Sequence, residues 1–170
     1  MTLFMGKHVN RIDKKGRTSV PAPFRSALEA ANGAFDGGAL VLRPSHKHPM
    51  IEVRSQRWLA EQAALLDDQP EFDDDTEDMR LALFGSCHQI NVDPEGRIIL
   101  PTDFAAFANI STAIAFVGAG TYVQLWEPGA ALAALSRASQ TAATRRLSPS
   151  RGRASLGLRP ATPSDGEGTA

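Results

Sequence analysis

The sequence predicts an α+β protein, mainly β with short helices, that consists of two tandem copies of one module and ends in a disordered tail. One thirteen-residue motif occurs twice in the 170-residue chain, and residues that alternate between apolar and polar lead into the second copy. The chain after about Arg145 is rich in Ser, Pro, Gly, Arg, Thr and Ala and has few large apolar residues. Such a segment cannot bury enough surface to offset the entropy of ordering it.

The repeated motif spans residues 12–24 and 92–104, which match without a gap at an offset of 80 residues. Five positions are identical, and they include the residues that make turns and end strands. They are Asp13 and Asp93, Gly16 and Gly96, Arg17 and Arg97, Pro21 and Pro101, and Phe24 and Phe104. An ungapped match of this kind indicates a duplicated module, and therefore two copies of one surface in one polypeptide.

Each copy of the motif is predicted to form a β-hairpin with Asp and Arg at its tip. Asp13 and Asp93 stand at the first position of a type I turn, where the carboxylate can accept a backbone N–H two residues further on. Gly16 and Gly96 supply the left-handed conformation that completes a bulged hairpin. The proline eight residues after each aspartate ends the outgoing strand.

The other elements are predicted in the same order in both copies. In the first copy they are a strand within residues 1–12, a short helix at 24–30, strands at 39–43 and 50–53, and a helix from a Ser55 cap to residue 66. In the second copy they are a hairpin at 87–101, a short helix at 104–108, strands at 113–117 and 122–126, and a helix from 128 to about 138. The similar order indicates that the repeat extends beyond the motif.

An acidic linker and one further helix are predicted between the copies. Thr76 is the expected N-cap of this helix, with Met79, Leu83 and Phe84 buried. The chain therefore divides into a first module at 1–66, a linker and helix at 67–84, a second module at 85–138 and a disordered basic tail at 139–170.

The formal net charge of −1 hides strong segregation of charge along the chain. Residues 67–78 are acidic, and the tail is basic. Six cations lie around the first motif, where Asp13 is the only acid before Glu29: Lys7, Arg11, Lys14, Lys15, Arg17 and Arg25. The second motif is less basic, because Glu95 replaces a lysine and Arg97 stands almost alone. Local patches therefore say more about partners than the total charge does.

Two interpretations of the Asp and Arg in each turn remain open at this point. One is a local ion pair that closes the turn, which at an exposed site contributes only about 0–1 kcal/mol. The other is a binding surface, which the six neighbouring cations favour, since solubility does not require so many positive charges in one place. A hairpin can enter the DNA major groove, where lysines bind phosphates and an arginine can contact guanine with two hydrogen bonds.

The composition of the sequence indicates the cellular compartment of the protein. Cys87 is the only cysteine, which excludes an intrachain disulfide and fits a reducing environment. The first 20 residues contain charges without a continuous apolar core, and no apolar run approaches the length of a membrane span. We therefore expect a soluble, cytoplasmic protein with no membrane partner.

Patterns typical of enzymes and metal sites are weak or missing in the sequence. His46 and His48 lack matching cysteine or carboxylate ligands. Cys87 and His88 are neighbours on a predicted strand, where adjacent side chains point to opposite faces, so Cys87 is expected to be a small core residue. We predict that the chain is not an enzyme and uses no metal, cofactor or small-molecule substrate.

The doubled motif resembles the MraZ family of bacterial transcriptional regulators, which have two tandem domains of the AbrB type. The resemblance covers roughly residues 1–138. It is close in residues 7–25 and recurs in 92–101, and residues 116–118 with 123–126 resemble the end of the family's second domain. The resemblance implies a pseudo-two-fold, double-split β-barrel made from two interlocked halves. It also implies a ring of several subunits that binds repeated short DNA sites and represses the division and cell-wall gene cluster.

The resemblance also assigns roles to particular residues. It implies a nucleoid-associated repressor that binds double-stranded DNA and forms homo-oligomers. The expected DNA contacts are Lys7, Arg11, Lys14, Lys15, Arg17 and Arg97, and the expected turn-forming residues are Asp13, Gly16, Asp93 and Gly96. Two alternatives are an AbrB-like antitoxin, which binds a toxin through its tail, and an assembly protein that does not bind DNA.

Overall fold

A computed structural model of the protein describes residues 3–30, 39–69 and 74–145. This part of the chain contains eight strands and five helices. In the first half these are β1 (Lys7–Arg11), β2 (Arg17–Ser19), α1 (Ala22–Ala30), β3 (Ala39–Pro44), β4 (Ile51–Arg54) and α2 (Gln56–Asp67). In the second half they are α3 (Asp74–Phe84), β5 (His88–Asn91), β6 (Arg97–Ile99), α4 (Thr102–Phe107), β7 (Ala113–Gly118), β8 (Val123–Trp126) and α5 (Pro128–Thr144).

Antiparallel strands form most of the core, which confirms the mainly β, α+β class. Six strands form one sheet in the order β1-β7-β8-β4-β3-β5, and β2 pairs with β6 in a two-stranded ribbon. The order is symmetric when each strand is exchanged for its equivalent in the other half, since β1 corresponds to β5, β3 to β7 and β4 to β8. A two-fold pseudosymmetry therefore relates the halves, with its axis between β4 and β8 and between β2 and β6.

The predicted hairpins are correct at the turn and wrong in their strand pairing. Gly16 N donates to Asp13 O at 3.0 Å, and Asp13 N donates to Arg17 O at 3.0 Å, so the first turn closes as expected. Beyond the turn the arms separate, because β1 pairs with β7 and β2 pairs with β6. The same holds for the second turn, whose arm β5 pairs with β3. Each half therefore completes the sheet of the other half.

The core explains why the arms separate. Its main cluster unites fully buried strand residues from both halves, such as Leu42 and Ile114, with Phe24 of α1 and Phe104 of α4. In the ribbon, the central side chains of β2 and β6, Thr18 and Ile98, are also buried. A hairpin made from one half alone would bury less apolar surface, so burial favours pairing between halves.

Helix capping follows the sequence in α2 and α5. The Ser55 hydroxyl accepts from Trp58 N at 3.1 Å and caps α2, as predicted. The Glu127 carboxylate accepts from Gly129 N at 2.9 Å and from Ala130 N at 2.7 Å at the start of α5. The helix α5 continues to Thr144, six residues beyond its expected end. The rest of the predicted disordered tail lies outside the described residues.

The prediction for α3 is wrong in its start and its packing. The helix begins at Asp74, so Thr76 lies within its first turn and is buried instead of forming the N-cap. Met79 is 60 % exposed, whereas Leu83 and Phe84 are partly buried. The most extensive contacts of this helix are with α2, and its apolar positions are covered incompletely. Within the described residues, no helix is both long and apolar enough to cross a membrane.

Candidate nucleic-acid interface

The first turn is held by one carboxylate. Asp13 Oδ1 accepts from the backbone N–H groups of Lys15 and Arg17, each at 2.9 Å, and Asp13 Oδ2 accepts from Arg17 Nε at 2.7 Å. The hydrogen bonds from the backbone and side chain of Arg17 lower the pKa of Asp13, so the carboxylate is ionised at neutral pH. Arg17 uses Nε for this contact, and its two Nη groups have no hydrogen-bond partner among the described residues.

The second turn repeats this geometry. Asp93 Oδ1 accepts from Arg97 N at 2.7 Å, and Asp93 Oδ2 accepts from Arg97 Nε at 3.0 Å. The backbone bond from Arg97 is the main cause that lowers the pKa of Asp93. One Nη group of Arg97 also lies 3.5 Å from a carboxylate oxygen of Glu95, a contact that Arg17 lacks. Both turn-closing ion pairs therefore exist, and the first leaves its arginine with more free donors.

The β2–β6 ribbon brings the two turns together. In its antiparallel register, Arg17 lies opposite Ile99 and Ser19 lies opposite Arg97. Alternate side chains point to opposite faces of a strand, and these four residues are all exposed on the outer face. Arg97 stands almost alone as a cation in the second motif, and strand pairing puts it beside the first motif.

Backbone hydrogen bonds between the halves fix the ribbon. Leu100 N donates to Gly16 O at 2.8 Å, and Val20 N donates to Gly96 O at 2.9 Å. These two bonds are equivalent under the pseudosymmetry, because Gly96 corresponds to Gly16 and Leu100 to Val20. The two turns are thus attached to one rigid unit and cannot move independently without breaking these bonds.

A shallow cleft of about 430 Å³ lies beside the ribbon and is lined by three of the predicted DNA contacts. They are Arg11, Arg17 and Arg97. The Thr18 hydroxyl donates to Arg11 O at 2.8 Å, which ties the end of β1 to the ribbon. Positive charge from both halves is therefore gathered in one concave surface.

The remaining predicted contacts flank this cleft. Lys14 and Lys15 are exposed in the first turn, where the second turn has Pro94 and Glu95 instead. Lys7 is exposed on β1, on the same face as Arg11. The two ends of the ribbon therefore differ in charge although their backbones are equivalent.

Arg25 has a role that sequence reasoning missed. The sequence places it among the cations of the first motif, yet its Nη1 donates to Glu95 O at 3.3 Å, in the second turn. A Cβ atom on Gly96 would come within 2.2 Å of the same Nη1, so the guanidinium lies directly against the backbone of that turn. Arg25 and Glu95 are 70 positions apart, and no local pattern in the sequence predicts the contact between them.

A second group of arginines is engaged within the fold. The Arg54 guanidinium carbon lies 3.5 Å from the centre of the Tyr122 ring and 4.6 Å from that of Trp58. Arg54 and Arg43 also form ion pairs with Glu52, at 2.9 and 3.4 Å. Both guanidinium groups contact neighbours under α2, although the buried Nε of Arg43 has no hydrogen-bond partner among the described residues, so these charges do not extend the basic surface.

The described part of the chain gives little support for a metal site or a reactive cysteine. Among the residues that the structure describes, no group of three or more His, Cys, Asp or Glu side chains could hold a metal ion. Cys87 is partly buried, and burial raises the pKa of its thiol, which disfavours the reactive thiolate.

The fold and its turns define a class of protein in which two equivalent Asp–Arg turns share one ribbon on a pseudosymmetric α+β core. The chain belongs to the MraZ family. Residues 83–148 match the family model described as "MraZ protein, putative antitoxin-like". The match extends to the whole core when the chain is compared with individual members of the family.

Three relatives, each named transcriptional regulator MraZ, cover most of this chain. The protein from Gluconacetobacter diazotrophicus is 43% identical over 155 residues, which is 90% of this chain and 96% of that protein. The protein from Gluconobacter oxydans is 42% identical over 86% of this chain and 91% of its own length. The protein from Xanthobacter autotrophicus is 38% identical over 82% and 87%. The resemblance found in the sequence is confirmed, and the family supports a role in transcription regulation.

Proposed function

We propose that this chain is a sequence-specific DNA-binding repressor. It acts as a ring-shaped homo-oligomer on repeated short sites upstream of the division and cell-wall gene cluster, its own gene included. One observation carries the proposal: the β2–β6 ribbon presents Arg17 and Arg97 on one exposed face, with Arg11 in the adjoining cleft. The names of the relatives agree with a role in transcription regulation.

The ribbon is suited to the major groove. This groove is about 12 Å wide and admits a two-stranded β-ribbon. Arg17 is held from one side by Asp13, so its guanidinium loses less freedom when it binds than an unrestrained side chain does. Its free Nη groups can then donate to O6 and N7 of guanine, the commonest specific contact to a base.

The flanking lysines supply affinity without sequence information. Lys14 and Lys15 are exposed beside Arg17, and Lys7 extends the basic surface along β1. Contacts from such residues to phosphates position a protein on the duplex but do not read the bases. The acidic Glu95 near Arg97 makes the second turn a weaker partner for phosphate.

Repetition of this surface in an oligomer would compensate for its small size. A single ribbon offers few contacts, and the net charge of −1 gives little attraction to DNA over the whole chain. A ring that presents many ribbons to repeated sites makes each later contact intramolecular, which can raise avidity by about 10²–10⁴.

The salt dependence of DNA binding tests this proposal against an assembly protein that does not bind DNA. The probe is duplex DNA from upstream of the chain's own gene, compared with a shuffled duplex of equal composition. We expect log affinity to fall linearly with log salt, with a slope of about −0.9 per phosphate contact. An affinity for both duplexes that is absent, or equal and insensitive to salt, would contradict the proposal.

Four variants separate base contacts from phosphate contacts. Arg17→Ala should lose about 1–3 kcal/mol of discrimination between the two duplexes, whereas Lys14→Ala and Lys15→Ala should weaken binding to both. Arg57→Ala is the matched control, because Arg57 is an exposed arginine on α2 that pairs with Glu61 at 3.6 Å. If Arg17→Ala keeps the full preference while the fold persists, Arg17 serves only to close the turn.

The antitoxin alternative depends on the tail. Binding to a toxin through the tail would involve residues after Arg145, which lie outside the described part of the chain. Removal of residues 146–170 distinguishes the repressor function from the antitoxin function. A repressor should keep its preference for the promoter duplex, whereas an antitoxin should no longer bind its toxin.

A further inference from the structure

The outer face of the ribbon carries one apolar residue among its cations. Ile99 is 58 % exposed, although the neighbouring Ile98 is 2 % exposed. It lies directly opposite Arg17 in the ribbon and two residues from Arg97 on the same strand face. A single exposed isoleucine is ordinary on a protein surface. Ile99, however, lies between the two arginines that are the candidate base contacts, which indicates a role in binding.

The pseudosymmetry makes Ile99 a point of difference between the two strands. The offset of 80 residues relates Arg17 to Arg97 and Ser19 to Ile99. The outer face therefore has two equivalent arginines and one non-equivalent pair, a hydroxyl on β2 and a branched aliphatic group on β6. A ribbon with this face can distinguish the two sides of a DNA site even though its arginines are symmetric.

We propose that Ile99 is a specificity-determining residue that packs against the C5 methyl group of a thymine in the major groove. This inference rests on the proposed function, since it requires the ribbon to bind duplex DNA. The thymine methyl is the apolar group that the standard base pairs present in that groove, and aliphatic side chains contact it in sequence-specific complexes. Ser19 offers only a small hydroxyl group at the equivalent position.

The charges around Ile99 favour DNA over a second copy of the same ribbon as the occupant. Arg17 is opposite Ile99, Arg97 is on the same strand, and Lys14 and Lys15 are exposed in the adjacent turn. Two such ribbons face to face would bring like charges together, which costs free energy. A polyanion neutralises the same charges while it brings base edges to the ribbon.

Replacement of thymine by deoxyuridine tests the proposal, because it removes the methyl group and keeps the base pairing. The probe is the promoter duplex in its thymine form, in a fully deoxyuridine-substituted form, and in a series of single substitutions. For the full-length protein, we expect at least one single substitution to weaken binding about fourfold, the effect of one buried methyl group. Substitutions elsewhere should have little effect.

Variants at the two equivalent positions assign the effect to Ile99. Ile99→Ser should bind the thymine duplex about fourfold more weakly and should lose the sensitivity at that position. Ile99→Val keeps a branched aliphatic group and should keep the sensitivity. Ser19→Ile should gain methyl sensitivity where a thymine lies under β2. Thermal unfolding of each variant verifies the fold, which an exposed position should tolerate.

The results separate this inference from the function on which it rests. If the wild-type chain binds no promoter duplex, both the proposed function and this inference fail. If it binds the thymine and deoxyuridine duplexes equally well, the repressor function stands and the role of Ile99 is refuted. If Ile99→Ser keeps the same methyl-sensitive position as the wild type, another residue contacts that thymine and the inference is again refuted.

Discussion

Alanine substitutions at two equivalent glycines should have very different effects on stability. Gly16 and Gly96 have nearly the same left-handed backbone, with φ of +80° and +79°. A Cβ at residue 16 would lie 2.3 Å from the backbone oxygen of Leu100, whereas at residue 96 it would meet the Arg25 side chain. A flexible side chain can move away, but the backbone of Leu100 is fixed within the ribbon. Gly16→Ala should therefore be the more damaging change.

The structure allows an estimate of how much each substitution lowers the free energy of unfolding. The left-handed conformation costs a non-glycine residue about 1–2 kcal/mol. Gly96→Ala also loses the weak hydrogen bond from Arg25 to Glu95 O, which adds about 0.5 kcal/mol and gives a total of about 1.5–2.5 kcal/mol. Gly16→Ala also disrupts the bond from Leu100 N to Gly16 O and leaves a buried donor unpaired, which raises the total to about 3–5 kcal/mol.

Gly120→Ala is the control for the backbone cost alone. Gly120 has φ of +78°, and apart from its chain neighbours no atom of the described residues lies within 4 Å of the position of its Cβ. The three variants are compared by thermal and urea unfolding at one protein concentration, since oligomerisation affects apparent stability. At about 2–4 °C per kcal/mol, Gly16→Ala should lower Tm by roughly 6–20 °C, and Gly120→Ala by only a few degrees. Equal losses for Gly16→Ala and Gly96→Ala would refute the role assigned to the Leu100 backbone.

Three further changes test other parts of the structure. Glu127→Ala removes the N-cap of α5 and should cost about 1 kcal/mol in unfolding experiments, with Glu127→Gln, which keeps an acceptor oxygen, as the milder control. Because the folded-state pKa values of Asp13 and Asp93 lie below 3.8, their contribution to stability is complete above about pH 4–5 and is lost as pH falls through the lowered values. Asp13→Asn with Asp93→Asn should therefore flatten this acid-induced loss, and an unchanged pH profile would argue against it. Truncation after Arg145 should leave Tm and oligomer mass nearly unchanged while it weakens binding to random DNA, and loss of the oligomer would instead make the tail a structural element.

Local chemistry made the two turns and the Ser55 cap predictable. Asp13 and Asp93 accept hydrogen bonds from residues at most four positions away, and the left-handed glycine of each motif lies inside its turn. The Ser55 cap joins residues three positions apart. Such interactions depend on residue type and spacing, which the sequence contains in full. The duplicated motif also indicates two equivalent surfaces.

Non-local packing decided how those surfaces are arranged. Strand register depends on which partner buries the central side chains, so the pairing of β2 with β6 could not be read from either motif alone. The same pairing placed Arg97 beside Arg17 and exposed Ile99 between them. The contact of Arg25 with the second turn and the exposure of Met79 likewise depend on neighbours distant in the chain.

The sequence by itself thus determined the turns, the repeat and the basic character of the first motif. Only the tertiary structure decided that the two motifs exchange strands and form one continuous ribbon. The physical reason is that turn formation is a local equilibrium, whereas strand exchange is set by the apolar surface that the two halves bury together.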